Sequence, residues 1–375
     1  MSDEVVDVLV IGGGGAGCST ALHAAQRGAS VVLLERSLVG SQASGVNYGG
    51  VRQQGRHPAE LPIAARAREI WGRLASVLDT DCEFDVSGHL KLARNAAEEA
   101  DLLTYAEVAR GHGLALELLG RNAVRALYPF FSEAVVAGSF APDDGQANPR
   151  LLSPALGRAA RAAGAVIHEN AAVEDVRHEG GVFVARTAGG TTVRARHLVN
   201  TAGYWGAQIA ARFNEPVPIA VLAPNMAVTE PLPYFLKVNL GVVGGDVYVR
   251  QIPRGNVIFG GGRGEADPET LVSRPLPSPT FKAMRAAVAL IPRLAGVQVI
   301  RTWTGMDGEM PDDIPVIGPS HTTPGLVHAF GFSGHGFQLS LAIGAIVTEL
   351  VLDGRTETPI AAFDIARFRE GETSR

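Results

Sequence analysis

The feature that constrains this chain most is a set of glycines placed directly after a short apolar run. Val8 to Ile11 is apolar and β-branched, the composition of a strand buried on both faces. Gly12, Gly14 and Gly17 follow at G-x-G-x-x-G spacing, and Ala16 to Arg27 reads as a helix of small residues. A second apolar run, Ser30 to Leu34, closes a βαβ unit and ends on Glu35. Each part has a task in holding a dinucleotide. Gly12 permits the tight turn, Gly14 lets a pyrophosphate reach the backbone, and Gly17 lets helix and strand pack closely. The helix N-terminus offers unpaired N–H groups and partial positive charge to phosphate. Glu35 is placed to accept from ribose hydroxyls. An acid there disfavours a 2′-phosphate, so FAD or NAD is expected rather than NADP. The glycine spacing alone would describe an ordinary loop; the ordered succession of strand, glycines, helix, strand and acid is what points to a dinucleotide.

A chain of 375 residues has room for about two domains. Its net charge of -5 comes without a basic stripe, which argues against a nucleic-acid partner. Cys18 and Cys82 can make neither a disulfide framework nor a zinc site, and no metal site is expected. The N-terminus lacks a basic segment, and Asp7 and the glycines interrupt its apolar run, unlike a signal peptide. No uninterrupted apolar segment is long enough to span a bilayer. A soluble enzyme of a reducing, cytoplasmic compartment is the expectation.

From Arg36 to Arg56 the chain is polar, glycine-rich and long for a loop. It is either a flexible surface loop or a wrap around the cofactor, with Ser41, Ser44, Gly49 and Gly50 donating and Arg52 and Arg56 facing an anion. Pro62 to Leu78 has helical apolar spacing and reads as core. Phe84 to Leu92 and Ala134 to Phe140 look like strands, with surface helices at Ala96–Gly111 and Arg121–Leu127 between them. A helix over Pro149–Ala163 leads into strands at 165–168, 172–177, 182–187 and 192–196. These reach His197–Gly203, an apolar run whose small terminal residues, Ala202 and Gly203, let backbone approach a ligand. Val217 to Gly262 reads as antiparallel strands. A period of two there puts Tyr248, Arg250 and Ile252 on one face. Tyr248 and Arg250 are either a cross-strand surface pair or the lid of a carboxylate pocket. A helix over Phe281–Leu290 precedes the last segment. Leu326–Phe330 would be a strand, Gly331–Gly336 a tight loop and Phe337–Leu352 a helix, forming a second strand–glycine–helix anion site. Its N-terminus is placed to stabilise negative charge on a reduced isoalloxazine.

The N-terminal βαβ, Val199-Asn-Thr-Ala-Gly203 and Gly331-Phe-Ser-Gly-His-Gly-Phe-Gln338 together resemble the FAD-dependent D-amino-acid oxidase superfamily. With Ser41–Arg52, they resemble its sarcosine oxidase branch, above all the β-subunits of heteromeric sarcosine oxidases and of proline, hydroxyproline or opine dehydrogenases. The resemblance implies a mixed α/β and α+β protein. A Rossmann-like FAD domain over 1–83, 145–215 and 300–375 would be interleaved with an antiparallel-sheet substrate domain over 84–144 and 216–299. The candidate cofactor contacts are Gly12, Gly14, Ala16, Gly17, Glu35, Arg36, Ser41, Ser44, Gly49, Gly50, Val173, Ala202, Gly203, Gly305, Gly331, Gly334, His335, Gly336, Phe337 and Gln338. The implied reaction oxidises the C–N bond of an amino acid or secondary amine to an imine. Implied partners are that small molecule and other subunits of a heteromeric dehydrogenase carrying FAD, FMN or iron–sulfur groups.

Departures from the pattern refine this. The flavin-tethering Cys of monomeric members falls at Thr304-Gly305-Met306, where there is none, so non-covalent FAD is expected. Their oxygen-activating Lys falls near Ile258 or Phe259, favouring a dehydrogenase over an oxidase. The FMN-carrying His of heterotetrameric members would lie near Asn148 or Pro149 and is absent. Carboxylate-binding cations of other branches fall at Asp307 and Gln338, which leaves Arg52 and Arg250 as candidates, with Tyr248 orienting and His335 serving the flavin. Asp307 and Glu309, if they faced the pocket, would suit a substrate with a second, cationic group, as in an opine. Two alternatives stay open: a 2-hydroxy-acid dehydrogenase with His335 as base, and an FAD-binding electron-relay subunit inactive without partners.

Overall fold

The structure, a computed structural model, describes residues 4–369. Two large sheets organise it. In the first, five parallel strands run in the order Leu326–Phe330, Thr192–Asn200, Val5–Ile11, Val31–Leu34 and Val166–His168. Val316–Pro319 adds antiparallel at one edge, and the Val173–Glu179/Val182–Thr187 hairpin pairs onto Thr192–Asn200. Val8, Leu9 and Val10 are fully buried, as a strand covered on both faces requires. One expected break is absent: the runs at 192–196 and 197–200 are one continuous strand.

Helix Gly15–Gln26 crosses from Val5–Ile11 to Val31–Leu34 and packs against the last long helix, Gly336–Asp353. Gly344 lies over Ser19 with no room for a side chain, and Ser19 donates to Leu341 O at 3.2 Å. Gly336–Asp353 is long and apolar enough by composition to cross a membrane, which the apolar runs in the sequence did not suggest. Here it is a core helix, with Leu339, Ile343, Ile346 and Val347 fully buried.

In the second sheet the order is Val299–Trp303, Pro224–Pro231, Asn256–Arg263, Tyr248–Gln251, Asn239–Val242, His89–Ala93, Ala137–Ala141 and Glu117–Gly120. All neighbours are antiparallel except Asn239–Val242 and His89–Ala93. The boundary expected at 300 falls inside Val299–Trp303, which pairs in this sheet. One face is apolar: Leu90, Leu240, Val249, Val257 and Phe259 pack under helix Pro277–Leu290. The register puts Lys91, Gly241, Tyr248, Gly260 and Met226 in one row of the opposite face, with His89 and Asn239 in the next. That polar face closes over the first sheet's carboxyl edge.

Candidate active site

Val5–Ile11 sits between Thr192–Asn200 and Val31–Leu34, so the chain leaves it in opposite directions and a crevice opens at its carboxyl end. A cavity of about 840 Å³ occupies that crevice and continues to the polar face of the second sheet. Gly12 turns there with φ +108°, and a side chain on it would strike the Thr201 carbonyl. Gly17 does not line the cavity. It lies against the Gly12 carbonyl and Thr201 Oγ1 and sets the close approach of helix to strand.

Glu35 ends its strand at the cavity. Its Oε2 accepts from Gly13 N at 2.6 Å and its Oε1 from Ser37 N at 2.8 Å. Burial raises its pKa, and those two N–H groups oppose the rise. Arg36 stacks on Trp205, 4.2 Å from the ring centroid, with a buried Nη1 that has no partner among the described residues. The residues fit FAD. The glycine turn and helix N-terminus suit a pyrophosphate, Glu35 a ribose, and the stacked Arg36 with its free donor an adenine end. Cys18 and Cys82 are both outside the lining, so no thiol is placed to tether a flavin.

The 36–56 segment runs along the cavity, with Ser41, Ser44, Gly49, Gly50 and Arg52 in its wall. Ser44 Oγ accepts from Gly15 N at 2.9 Å and ties the segment to the glycine turn. Val173, Ala202, Gly203, Gly305, Gly334, His335, Gly336 and Phe337 also line it, as do Gly12, Gly14, Ala16 and Tyr248. Besides Gly17, three expected site residues do not. Gly331 packs on Met310, and Gln338 is buried with Nε2 donating to Ala64 O at 2.8 Å. Arg250 lies behind the wall, 5.3 Å from the Tyr48 ring, donating to Gln146 Oε1 at 3.3 Å. Gly49 and Tyr48 screen it from the cavity, and Ile252 falls beyond the end of its strand.

Two residues missed in the sequence are ones that alternation would have exposed. His89 and Lys91 occupy the polar face of a strand otherwise built of Leu90 and Leu92, and both line the cavity. Burial and the neighbouring Arg52 lower the pKa of each, His89 well below its usual range. Tyr48 donates to Asn239 Oδ1 at 2.7 Å and meets Tyr248 edge-on at 4.6 Å. Phe259, by contrast, is core, so the lack of a cation at 258–259 does not describe the cavity, which has Lys91 from another strand. Asp307 lines the cavity with its oxygens accepting from Gly308 N at 2.8 Å and Gly334 N at 2.9 Å. Glu309 is held instead by Arg263 at 2.5 and 2.6 Å.

His335 caps the second glycine loop. Its Nδ1 lies 2.8 Å from Oε2 of Glu60, a fully buried acid that no motif announced. Burial and then Arg56 lower the His335 pKa, and Glu60 resists. Burial raises Glu60, but His335 and Arg56 win and hold it below the usual carboxylate value. Arg56 is itself buried, pushed down to about 10 by burial and Arg52, with Nη1 unpartnered among the described residues.

A dinucleotide crevice at a sheet switch point, closed by a second polar sheet face, defines a flavin-dependent oxidoreductase architecture. Residues 7–350 match the DAO family of FAD-dependent oxidoreductases, and the chain belongs to it, with FAD as cofactor. It is 28% identical to glycine oxidase of Geobacillus kaustophilus over 96% of either chain. It is 27% identical to the sarcosine oxidase β subunit of Rhizobium meliloti, over 97% of this chain and 89% of that protein. The L-proline dehydrogenase structure from P. horikoshii superposes with TM-score 0.90 at 26% identity, covering 97% of this chain and 98% of that one.

Proposed function

We propose that this chain oxidises the C–N bond of an amino acid or secondary amine bearing a carboxylate. The supporting observation is Arg52 in the cavity wall: its guanidinium makes one hydrogen bond among the described residues, Nη1 to Gln54 O at 2.6 Å, and has no carboxylate partner there. Its remaining donors are available for a substrate carboxylate. Bound FAD supplies the hydride acceptor.

The residues around Arg52 suit the rest of the task. Lys91, Arg56 and burial favour the neutral form of a bound amine, the form whose nitrogen lone pair assists departure of hydride from the adjacent carbon. The product is an iminium, which water hydrolyses to a carbonyl compound and an amine. Tyr48, fixed by Asn239, and Tyr248, lying over the side-chain-free Gly260, form an aromatic wall that excludes water and orients the carbon. Glu60 holds His335 Nδ1, leaving Nε2 without a hydrogen bond among the described residues and able to take the amine proton.

Arg52→Met tests the carboxylate anchor. KM for an amine substrate should rise about 10- to 100-fold, the worth of roughly 1.5–3 kcal/mol for hydrogen bonds to a charged group. The bound-flavin spectrum should be unchanged. An unaltered KM removes Arg52 from the site. Reoxidation of the reduced protein in air, compared with a quinone or dye, assigns the electron acceptor.

A further inference from the structure

We infer that Tyr105 is a positioning residue of the substrate site, its hydroxyl fixing the peptide group that aims Arg52. This rests on the reading above, with Arg52 as the carboxylate anchor, and adds a residue from outside the cavity.

Between Val51 and the helical turn Pro58–Glu60, the stretch Arg52-Gln-Gln-Gly-Arg56 belongs to no strand or helix, so its backbone N–H groups need partners from elsewhere. Four in succession find them on two distant side chains. Gln53 N and Gln54 N donate to Asp144 at 2.8 and 3.0 Å. Gly55 N and Arg56 N donate to Tyr105 Oη at 2.9 and 3.0 Å. Gly55, at φ +75°, turns its own N–H and the next toward one point, a concave pair of donors that an oxygen fills. The Tyr105 O–H completes the set by donating to Arg56 O at 3.1 Å.

The peptide group between Gln54 and Gly55 connects this hydroxyl to Arg52. Its N–H faces Tyr105, and its carbonyl, on the opposite edge of the same plane, accepts from Arg52 Nη1 at 2.6 Å. A planar trans peptide cannot turn one edge without the other. Arg52's guanidinium makes no other hydrogen bond among the described residues, so this peptide sets its direction. The second N–H held by Tyr105 also leads back to Arg52, because Arg56 Nε donates to Arg52 O at 3.1 Å. Tyr105 itself is half-buried on helix Ala96–Gly111, beside a buried stripe of Leu102, Ala106 and Ala109, and does not line the cavity. Packing against that stripe asks for a ring and not for a hydroxyl. Burial raises the phenol's pKa, which keeps the proton that Arg56 O accepts.

The test uses the FAD-loaded protein and methylthioacetate, a carboxylate in which sulfur replaces the amine nitrogen and blocks oxidation. Its Kd is read from the change in flavin absorbance. Tyr105→Phe keeps the ring and its approach to Lys91 Nζ, 5.8 Å from the ring centroid, and deletes only the hydroxyl. Methylthioacetate should bind about fivefold more weakly, the worth of one neutral hydrogen bond, with FAD affinity unchanged. In an Arg52→Met background the same substitution should change the Kd by no more than about twofold, because the group it aims is gone. Equal weakening in both backgrounds would mean a hydroxyl that only supports the loop, and it overturns the inference. An unchanged Kd in the Tyr105→Phe protein, or loss of its FAD, overturns it as well. Arg52→Met alone separates the two levels. If it leaves methylthioacetate binding unchanged, the anchor reading fails and the inference with it; if it weakens binding while Tyr105→Phe does not, the inference alone fails. If the two substitutions weaken binding without adding, yet no amine bleaches the flavin, the positioning role stands and amine oxidation fails.

Discussion

Glu60→Gln is the substitution whose cost follows most directly from the site. Glu60 is fully buried and accepts from His335 Nδ1 at 2.8 Å and from His57 N at 3.3 Å. An amide keeps the shape and removes the charge. A hydrogen bond to a charged group contributes about 1.5–3 kcal/mol and a neutral one about 1, so the His335 contact alone loses about 1–2 kcal/mol. Arg56, not in contact but buried nearby with Nη1 unpartnered among the described residues, loses its counter-charge, adding about 1 kcal/mol. The total, about 2–3 kcal/mol, corresponds to a Tm lowered by roughly 3–4 °C at about 2.1 cal/mol/K of unfolding entropy per residue. Urea unfolding at pH 7 in excess FAD, for wild type, Glu60→Gln, His335→Asn and the double variant, reads the pair directly. The expected coupling is about 1–2 kcal/mol; additivity within about 0.5 kcal/mol would refute it. The pH dependence has a fixed sign. Glu60 lies below 4.5 in the fold, so its contribution is present above that value and lost as pH falls through the folded pKa. His335 lies below 6.5, so the unfolded chain takes its proton first and stability also falls below 6.5. Glu60→Gln should remove the first of these acid losses and extend the second.

Other perturbations have equally definite outcomes. Gly17→Ala drives a methyl into the Gly12 carbonyl and Thr201 Oγ1, so it should weaken FAD binding at least tenfold, measured by fluorescence of released flavin. Glu215 is buried against His328 Nε2 at 3.1 Å and His321 N at 2.8 Å. Burial would raise it, but those hydrogen bonds win and hold it at about 2. Against an unfolded value of 4.5 this is about 3 kcal/mol, present above pH 4.5 and lost between 4.5 and 2; a Glu215→Gln variant should show a flatter acid limb in urea midpoints. Arg250→Met should change KM at least tenfold less than Arg52→Met while lowering Tm, because Arg250 supports Tyr48 from behind the wall.

The cofactor half of the protein was legible because its signals are local. Gly12, Gly14, Gly17 and Glu35 lie within one βαβ unit, and Gly331 to Gly336 repeats the strand–loop–helix form, so the local succession of strand, glycines and helix places them. The substrate half depends on strand pairing between distant segments. His89, Lys91, Asn239 and Tyr248 meet only because Asn239–Val242 pairs in parallel with His89–Ala93, a register no local pattern reveals. Arg250 shows the limit of alternation. It does share the Tyr248 face, yet Tyr48 from another segment covers it. Glu60 gave no signal at all, since an acid next to a helix start reads as solvated until His335 arrives from 275 residues away.

Anaerobic mixing of the FAD-loaded protein with amino acids, secondary amines and matched 2-hydroxy acids tests the central claim most directly, followed at about 450 nm, where oxidised flavin absorbs. Bleaching by a carboxylate-bearing amine, with a carbonyl compound released, is the predicted result. Bleaching by hydroxy acids alone, or by none of the panel, would contradict it.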